Sequence, residues 1–380
     1  MKKILFRKLL YDCLIFFFIT LFSASIIIWV FQAVNFLDIM IEDGRDYWVY
    51  FSYSLLNLPK TVSKLFPFAL FFSFTYVLSK YELNNELMIF WNFGISKIEL
   101  INFFVKFSFI LFLFQVLLTS ILVPKSQDLA RNFIRGSSFN FFENFIKQKR
   151  FSDGVRGLTI YSEEKDKNGI YKNVYLKKKI DPLNFQITYA KNGYFKKIGS
   201  NSILVLLNGE TISFDNGKVT IFKFSESDYN LNNSTSFTIT RIKTQEMSTI
   251  NLGKCLEYLY NLGVIKIDKN KFKINNCSIK NSANVIKEFY KRFIIPLYIP
   301  VLIMVSLLLI INSKENINYL KQRIYIFLLG IIIIIFSETT LRFISKDLFE
   351  NIKIVIIPII LIIFFYFIFL KYLKINLSKK

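Results

Sequence analysis

Six apolar runs, each long enough to cross a bilayer, constrain this chain more than any other feature. Roughly 20 helical residues span the hydrocarbon layer. The runs at about 9–34, 52–79, 100–123, 293–312, 324–344 and 352–370 all reach that length. Lipid offers no hydrogen-bond partner to an unpaired backbone group, so such runs are helices. They fall into two triplets on either side of a polar stretch, 124–290. The first run is too long for a leader peptide and lacks a small-x-small cleavage site, so it is expected to stay as a span.

Composition narrows the chemistry. Over 380 residues, 53% are hydrophobic and mean hydropathy is +0.39. With no His, neither a Ser-His-Asp triad nor a His-ligated metal can form. Cys13, Cys255 and Cys277 show no CxxC spacing, so no zinc site, and no cofactor, is expected. No GxxxxGK[ST] string occurs, so the chain is not expected to hydrolyse ATP by itself. The net charge is +22, but the basic residues punctuate apolar runs instead of forming one stripe, which argues against nucleic acid.

Lys and Arg in the short loops set the orientation. One side carries Lys2, Lys3, Arg7, Lys8, Lys80, Lys97, Lys314, Lys321, Arg323, Lys371, Lys374, Lys379 and Lys380. The other has Arg45, Lys346 and Lys353 among Asp38, Glu42, Asp43, Asp46, Asp347 and Glu350. Both termini are therefore expected in the cytoplasm, with 124–290 outside it.

That middle stretch reads as β structure. Four Asn-Gly pairs (168–169, 192–193, 208–209, 216–217) separate short runs rich in Ile, Val, Tyr, Phe and Thr. Asn-Gly suits tight hairpins, so consecutive antiparallel strands in a sandwich or jelly roll are expected. An amphipathic helix is expected over 126–150, and a looser helical return over 251–290. Cys255 and Cys277 both lie in this region, where a disulfide is chemically allowed and two buried free thiols are equally possible.

The loop between spans two and three carries a motif. Leu83, Leu87 and Phe90 recur at helical spacing, Glu82 and Glu86 stand one turn apart, and Gly94 closes the helix. Such a helix, over about 81–95, lies on lipid or docks into a soluble partner; Glu where lipid-surface helices carry Lys and Arg favours a protein.

Two apolar triplets around an exported β domain, with the stretch Glu86-Leu-Met-Ile-Phe-Trp-Asn-Phe-Gly94-Ile-Ser96, resemble the LptF/LptG permease family. Pro59 and Pro67 in span two add to the likeness, as do Ile170-Tyr-Lys-Asn-Val-Tyr-Leu176, Leu207-Asn-Gly-Glu210 and Phe222-Lys-Phe224. The resemblance covers nearly the whole chain and leans to the LptF side. It implies an α+β membrane protein of the bacterial inner membrane, with six transmembrane helices (3+3) flanking a periplasmic antiparallel β-jelly-roll-like domain. The domains would be 1–123, 124–290 and 291–380. It implies no enzyme activity but a permease subunit that extracts lipopolysaccharide, beside a second such permease, a cytoplasmic ABC ATPase dimer and periplasmic bridge proteins. Glu86 and Phe90 would then contact the ATPase, supported by Leu87 and Gly94, with Glu82 secondary.

Ionisable residues within spans are functional candidates. Lys60 and Lys64 lie a turn apart, as do Glu338 and Arg342, and Arg292 opens span four. They either snorkel to headgroups, with Glu338 and Arg342 as an i,i+4 ion pair, or form a basic collar for lipid phosphates. The resemblance places spans one and five at the lateral entrance, which favours Arg342. Where some relatives carry a basic residue at the outer end of span one, this chain has Ala33, Asn35, Phe36 and Asp38. Asp12 and Lys106 are read as snorkelling. Two rival readings are a mechanotransmitting ABC subunit, against which the 3+3 count weighs, and a membrane-anchored scaffold, which would not need the 81–95 helix.

Overall fold

The computed structural model describes every residue except 1, 42–46, 137–145, 147, 156, 167–168, 180–183, 199–200, 216, 231–242, 265–275, 279–280, 346–347 and 379–380. Two compact units emerge. One comprises Met1–Val30, Asn57–Asp128 and Lys243–Lys380; the other Phe31–Leu56 and Leu129–Ile242.

The first unit is helical. Its parts are α1 (Lys2–Ile41), α3 (Leu58–Leu83), α4 (Glu86–Asn92), α5 (Lys97–Leu117), α7 (Thr249–Val264), α8 (Ser282–Phe293), α9 (Tyr298–Leu307), α10 (Tyr319–Thr339) and α11 (Leu348–Ser378). The helix α2 (Tyr47–Leu56) and the end of α1 from Phe31 belong to the second unit, and α6 (Val123–Gly136) begins in the first unit and ends in the second. Six segments are long and apolar enough to cross a membrane: Lys2–Leu37, Tyr47–Leu83, Lys97–Ile134, Ser282–Ile310, Tyr319–Arg342 and Asn351–Tyr372. Pro59 sits in the first turn of α3, where its missing N–H costs nothing, and Pro67 lies within the helix.

The helix α9 is apolar on every side and all ten of its residues are buried, so it forms the central post. Around it stand α3, α5, α10 and α11. The seams are aromatic: Phe17 meets Phe66 edge-on at 5.0 Å, and Phe74 meets Phe104 at 5.6 Å. Gly330 lets α10 close onto the ring of Phe71, because a Cβ there would stand 2.0 Å from that ring. On α1 the stripe Leu9, Cys13, Phe17, Leu21 and Ser25, one residue in four, is buried, leaving Phe18, Ile19 and Phe22 exposed. Asp12 is not free to snorkel, since it accepts a hydrogen bond from the Tyr81 hydroxyl of α3.

The second unit holds an antiparallel sheet: β1 (Ser152–Val155), β2 (Leu158–Tyr161), β3 (Glu164–Lys165), β4 (Tyr171–Lys179), β5 (Phe185–Ile198), β6 (Asn201–Asp215) and β7 (Lys218–Asn230). The order β1-β2-β4-β5-β6-β7, with β3 beside β4, is a meander of hairpins. The antiparallel β domain is thus present, with β2 and β3 both paired to β4 and the other described strands paired to their sequence neighbours. Alternating residues Leu158, Ile160, Val174, Leu176, Leu204 and Leu206 form its apolar face. The strand β7 pairs only with β6 among the described residues, and exposes Val219, Ile221 and Phe222.

Only two of the four Asn-Gly pairs mark turns. Gly169 (φ +78°) and Gly217 (φ +82°) occupy left-handed turn positions; Asn168 and Asn216 lie outside the described residues. Asn192-Gly193 and Asn208-Gly209 instead lie inside β5 and β6, so four expected short strands are two long ones. Asn208 has φ +52° and the register passes over it, pairing Leu207 with Glu226 and Gly209 with Phe224. A Cβ on Gly209 would meet the Tyr189 carbonyl oxygen at 2.3 Å, so glycine there serves the close approach of the neighbouring strand β5.

The expected amphipathic helix after span three is α6, which runs to Gly136; residues 137–145 lie outside the described residues. Cys255 on α7 is disulfide-bonded to Cys277, which ties α7 to the segment preceding α8.

Candidate functional site

Functional residues gather at the two ends of the helical unit. At one end α3 stops at Leu83, and Asn85 takes φ +63° before α4 begins. The expected continuous helix is therefore broken, and Glu82 and Glu86 do not share a face. Glu82 accepts the backbone N–H of Lys314 at 2.9 Å, while the Lys314 ammonium donates to the Leu83 carbonyl at 3.1 Å. Glu82 thus pins the loop after span four. Glu86 stays half-buried, accepting from the Asn84 side-chain amide at 3.1 Å.

Gly94 closes α4 in the left-handed conformation, φ +66°. Its N–H reaches the Trp91 carbonyl, and that of Ile95 reaches Phe90, both at 3.0 Å, in the Schellman pattern. The accompanying apolar contact brings Phe90 and Ile95 inward, each 3% exposed. Phe90 meets Phe6 edge-on at 6.3 Å, and Leu87 is buried beside it. Phe90 as the outward anchor for a partner is thereby corrected: the restart at Asn85 rotates it into the core. The outward apolar face consists of Met88 (53% exposed), Ile89 (46%) and Phe93 (45%). Sequence spacing missed them because it extended the phase of α3 through the break. Lys2 donates to the Gly94 carbonyl at 3.1 Å and pairs with Glu99 at 3.3 Å, so the N-terminus lies at this same end.

At the opposite end, Arg292 on α8 is 1% exposed. Its Nε donates to Glu288 at 3.2 Å, one terminal nitrogen to the Thr249 hydroxyl at 2.9 Å and the other to the Gln245 carbonyl at 3.2 Å. The guanidinium is spent inside the protein, which corrects its expected place in a phosphate-binding collar. Thr249 in turn donates to the Ser120 carbonyl, and Thr119 donates to the Arg292 carbonyl at 2.9 Å. Ser120 and Thr119 belong to the π-helical turn Leu118–Leu122 that follows α5. Such a turn frees carbonyls for outside donors.

Gln245, which spacing could not single out, joins two of the predicted residues. Its carbonyl receives Arg292 and its side-chain oxygen accepts from Lys60 at 3.3 Å. Lys64, one turn along α3, is exposed. The expected Glu338–Arg342 ion pair is absent among the described residues. Thr340–Arg342 winds as a 3₁₀ turn, which removes the i,i+4 register, and both side chains stand exposed. Tyr290 on α8 holds that turn through Thr340 at 3.3 Å.

Six apolar helices long enough to span a bilayer, with strands between the third and fourth, an exposed apolar turn at one end and basic side chains at the other, define a multi-pass membrane protein. Residues 7–373 match the sequence model of the lipopolysaccharide export system permease LptF/LptG, and the chain belongs to that family. Membership makes it an inner-membrane ABC-transporter permease subunit that works with a partner permease, an ATPase and bridge proteins, and is not itself an enzyme. No curated protein matches the chain.

Proposed function

We propose that the chain forms one half of a permease pair that draws lipopolysaccharide from the outer leaflet of the inner membrane and passes it to a periplasmic bridge. The observation that carries this reading is the polarity of the helical unit. The apolar turn of Met88, Ile89 and Phe93 and the N-terminus stand at one end, and Lys60, Lys64 and Arg342 at the other. Loop charges make the first end cytoplasmic, where an ATPase would grip α4. The Cys255–Cys277 disulfide fits an oxidising compartment for the second. There Lys60, Lys64 and Arg342 would hold lipid phosphates by charge-assisted contacts. The exposed faces of α1 and α10 would meet the second permease. Edge strand β7, with Ile221 and Phe222 exposed, would carry the lipid onward by pairing with a sheet of the bridge.

A photoreactive residue in place of Lys64 tests this in cells. Irradiation is expected to yield lipopolysaccharide adducts there and none at Leu320, an exposed residue at the other end. Adducts at 320 with none at 64 would reverse the reading.

A further inference from the structure

Between α3 and α10 lies a recess of about 310 Å³, at the low end of ligand pockets, ~300–1,000 Å³. Phe72 and Phe327 form its back, meeting edge-on at 6.4 Å. Tyr76, stacked on Phe16 of α1 at 4.5 Å, forms one side. Tyr76, Ile324 and Leu328 are exposed, so the mouth is open and apolar. Tyr319, one turn before Arg323 on α10, adjoins Glu82, which puts the recess at the α4 end of the helical unit.

An apolar cleft has no use for polar atoms, yet three polar side chains line this one. Arg323 is half-buried, no ion pair among the described residues involves it, and no carboxylate lines the recess. Thr75 and Ser79 are 5% and 3% exposed. Elsewhere in the bundle Ser73, Ser108 and Ser337 donate back to carbonyls of their own helices. The Thr75 hydroxyl does not, and has no partner. The Ser79 hydroxyl lies beside that of Tyr319; two adjoining hydroxyls use one proton between them and leave the other to donate. Buried hydroxyls left unpaired are costly, and an acceptor from outside removes that cost.

These groups stand in order along the recess. The guanidinium comes first, then Ser79 and Thr75, separated by about 6 Å of helical rise, then the rings of Phe72 and Phe327. A phosphodiester, its neighbouring ester carbonyls and an acyl chain present the matching order. We infer that the recess binds an anionic glycerophospholipid, with phosphate on Arg323, ester carbonyls on the two hydroxyls and one chain along the rings. A headgroup ammonium would find no carboxylate there. Lipopolysaccharide shares the phosphate and ester chemistry, but the recess lies at the end away from Lys60 and Lys64 and offers one guanidinium. The source in the cytoplasmic leaflet rests on the orientation proposed above; the site itself does not.

The test uses the full chain with its partner permease and ATPase in phosphatidylcholine nanodiscs. These carry a trace of phosphatidylglycerol with a photoreactive group on one acyl chain, and labelled peptides are identified by mass spectrometry. Label is expected within 72–79 and 324–328, and excess phosphatidylglycerol should remove it where excess phosphatidylethanolamine does not. Arg323→Gln should lower labelling about tenfold, as for one charge-assisted contact, with Arg323→Lys near wild type. Thr75→Val, Ser79→Ala should lower it several-fold. Equal labelling in Arg323→Gln and wild type, or equal removal by phosphatidylethanolamine, means boundary lipid only and overturns the site. Unchanged labelling in the Thr75, Ser79 variant overturns the ester contacts. Lipopolysaccharide competing as well as phosphatidylglycerol overturns the glycerophospholipid and puts the recess on the transport path. No label in the wild type also overturns the site, with the partner permease then covering the mouth. Nanodiscs expose both faces, so failure of the site leaves the transport reading standing.

Discussion

Arg292→Met is expected to destabilise the complex by about 3–5 kcal/mol, the range for removing one partner of a buried charge pair. The loss is larger than that of one ion pair. Glu288, the Thr249 hydroxyl and the Gln245 carbonyl all lose their donor at once. The return segment, α8 and the turn after α5 are joined through that guanidinium and its backbone carbonyl. Arg292→Lys should not rescue, because one ammonium cannot reach three acceptors arranged around a planar fork. Arg342→Met, at an exposed side chain, should melt within about 0.5 kcal/mol of wild type. Thermal unfolding of the purified complex in detergent measures this. Wild-type melting of Arg292→Met with weakened lipid binding would return Arg292 to direct contact with substrate.

The turn at the other end should separate folding from docking. Phe90→Ala removes a ring 3% exposed against Phe6 and Leu87, and is expected to cost about 3–5 kcal/mol as a core cavity. Ile89→Ser, Phe93→Ser removes outward apolar surface and should melt within about 1 kcal/mol of wild type. That double variant is nevertheless expected to lose the ATPase on co-purification. Interface anchors cost about 2 kcal/mol or more when truncated, roughly a thirtyfold drop in affinity. Wild-type ATPase retention in the Ile89, Phe93 variant, with loss in a stably folded Phe90→Ala, would put the docking face back on Phe90.

What could be read from residue order follows from the range of each signal. The six spans were legible because each is set by its own uninterrupted apolar length. The stop at Gly94 was legible because a left-handed C′ position demands glycine. The face of α4 was not, since one left-handed residue, Asn85, resets the helical phase that spacing arguments carry forward. Asn-Gly pairs predicted turns correctly at Gly169 and Gly217. At Gly193 and Gly209 the same dipeptide answers to packing against Val174, Leu206 and Tyr189, which lie on other parts of the chain. Arg292 shows the same limit. Its position at the head of span four was evident, but its acceptors Gln245 and Thr249 come from the far side of a long connection.

ATP-driven removal of lipopolysaccharide from a bilayer tests the central claim most directly. The chain, its partner permease and its ATPase are placed in proteoliposomes loaded with labelled lipopolysaccharide, and the label reaching a soluble periplasmic bridge protein is followed. Transfer that requires ATP and falls to background with Ile89→Ser, Phe93→Ser is the predicted result. ATP hydrolysis sustained by the intact complex with no lipid leaving the membrane would contradict it, and would describe a subunit that transmits motion without moving lipid.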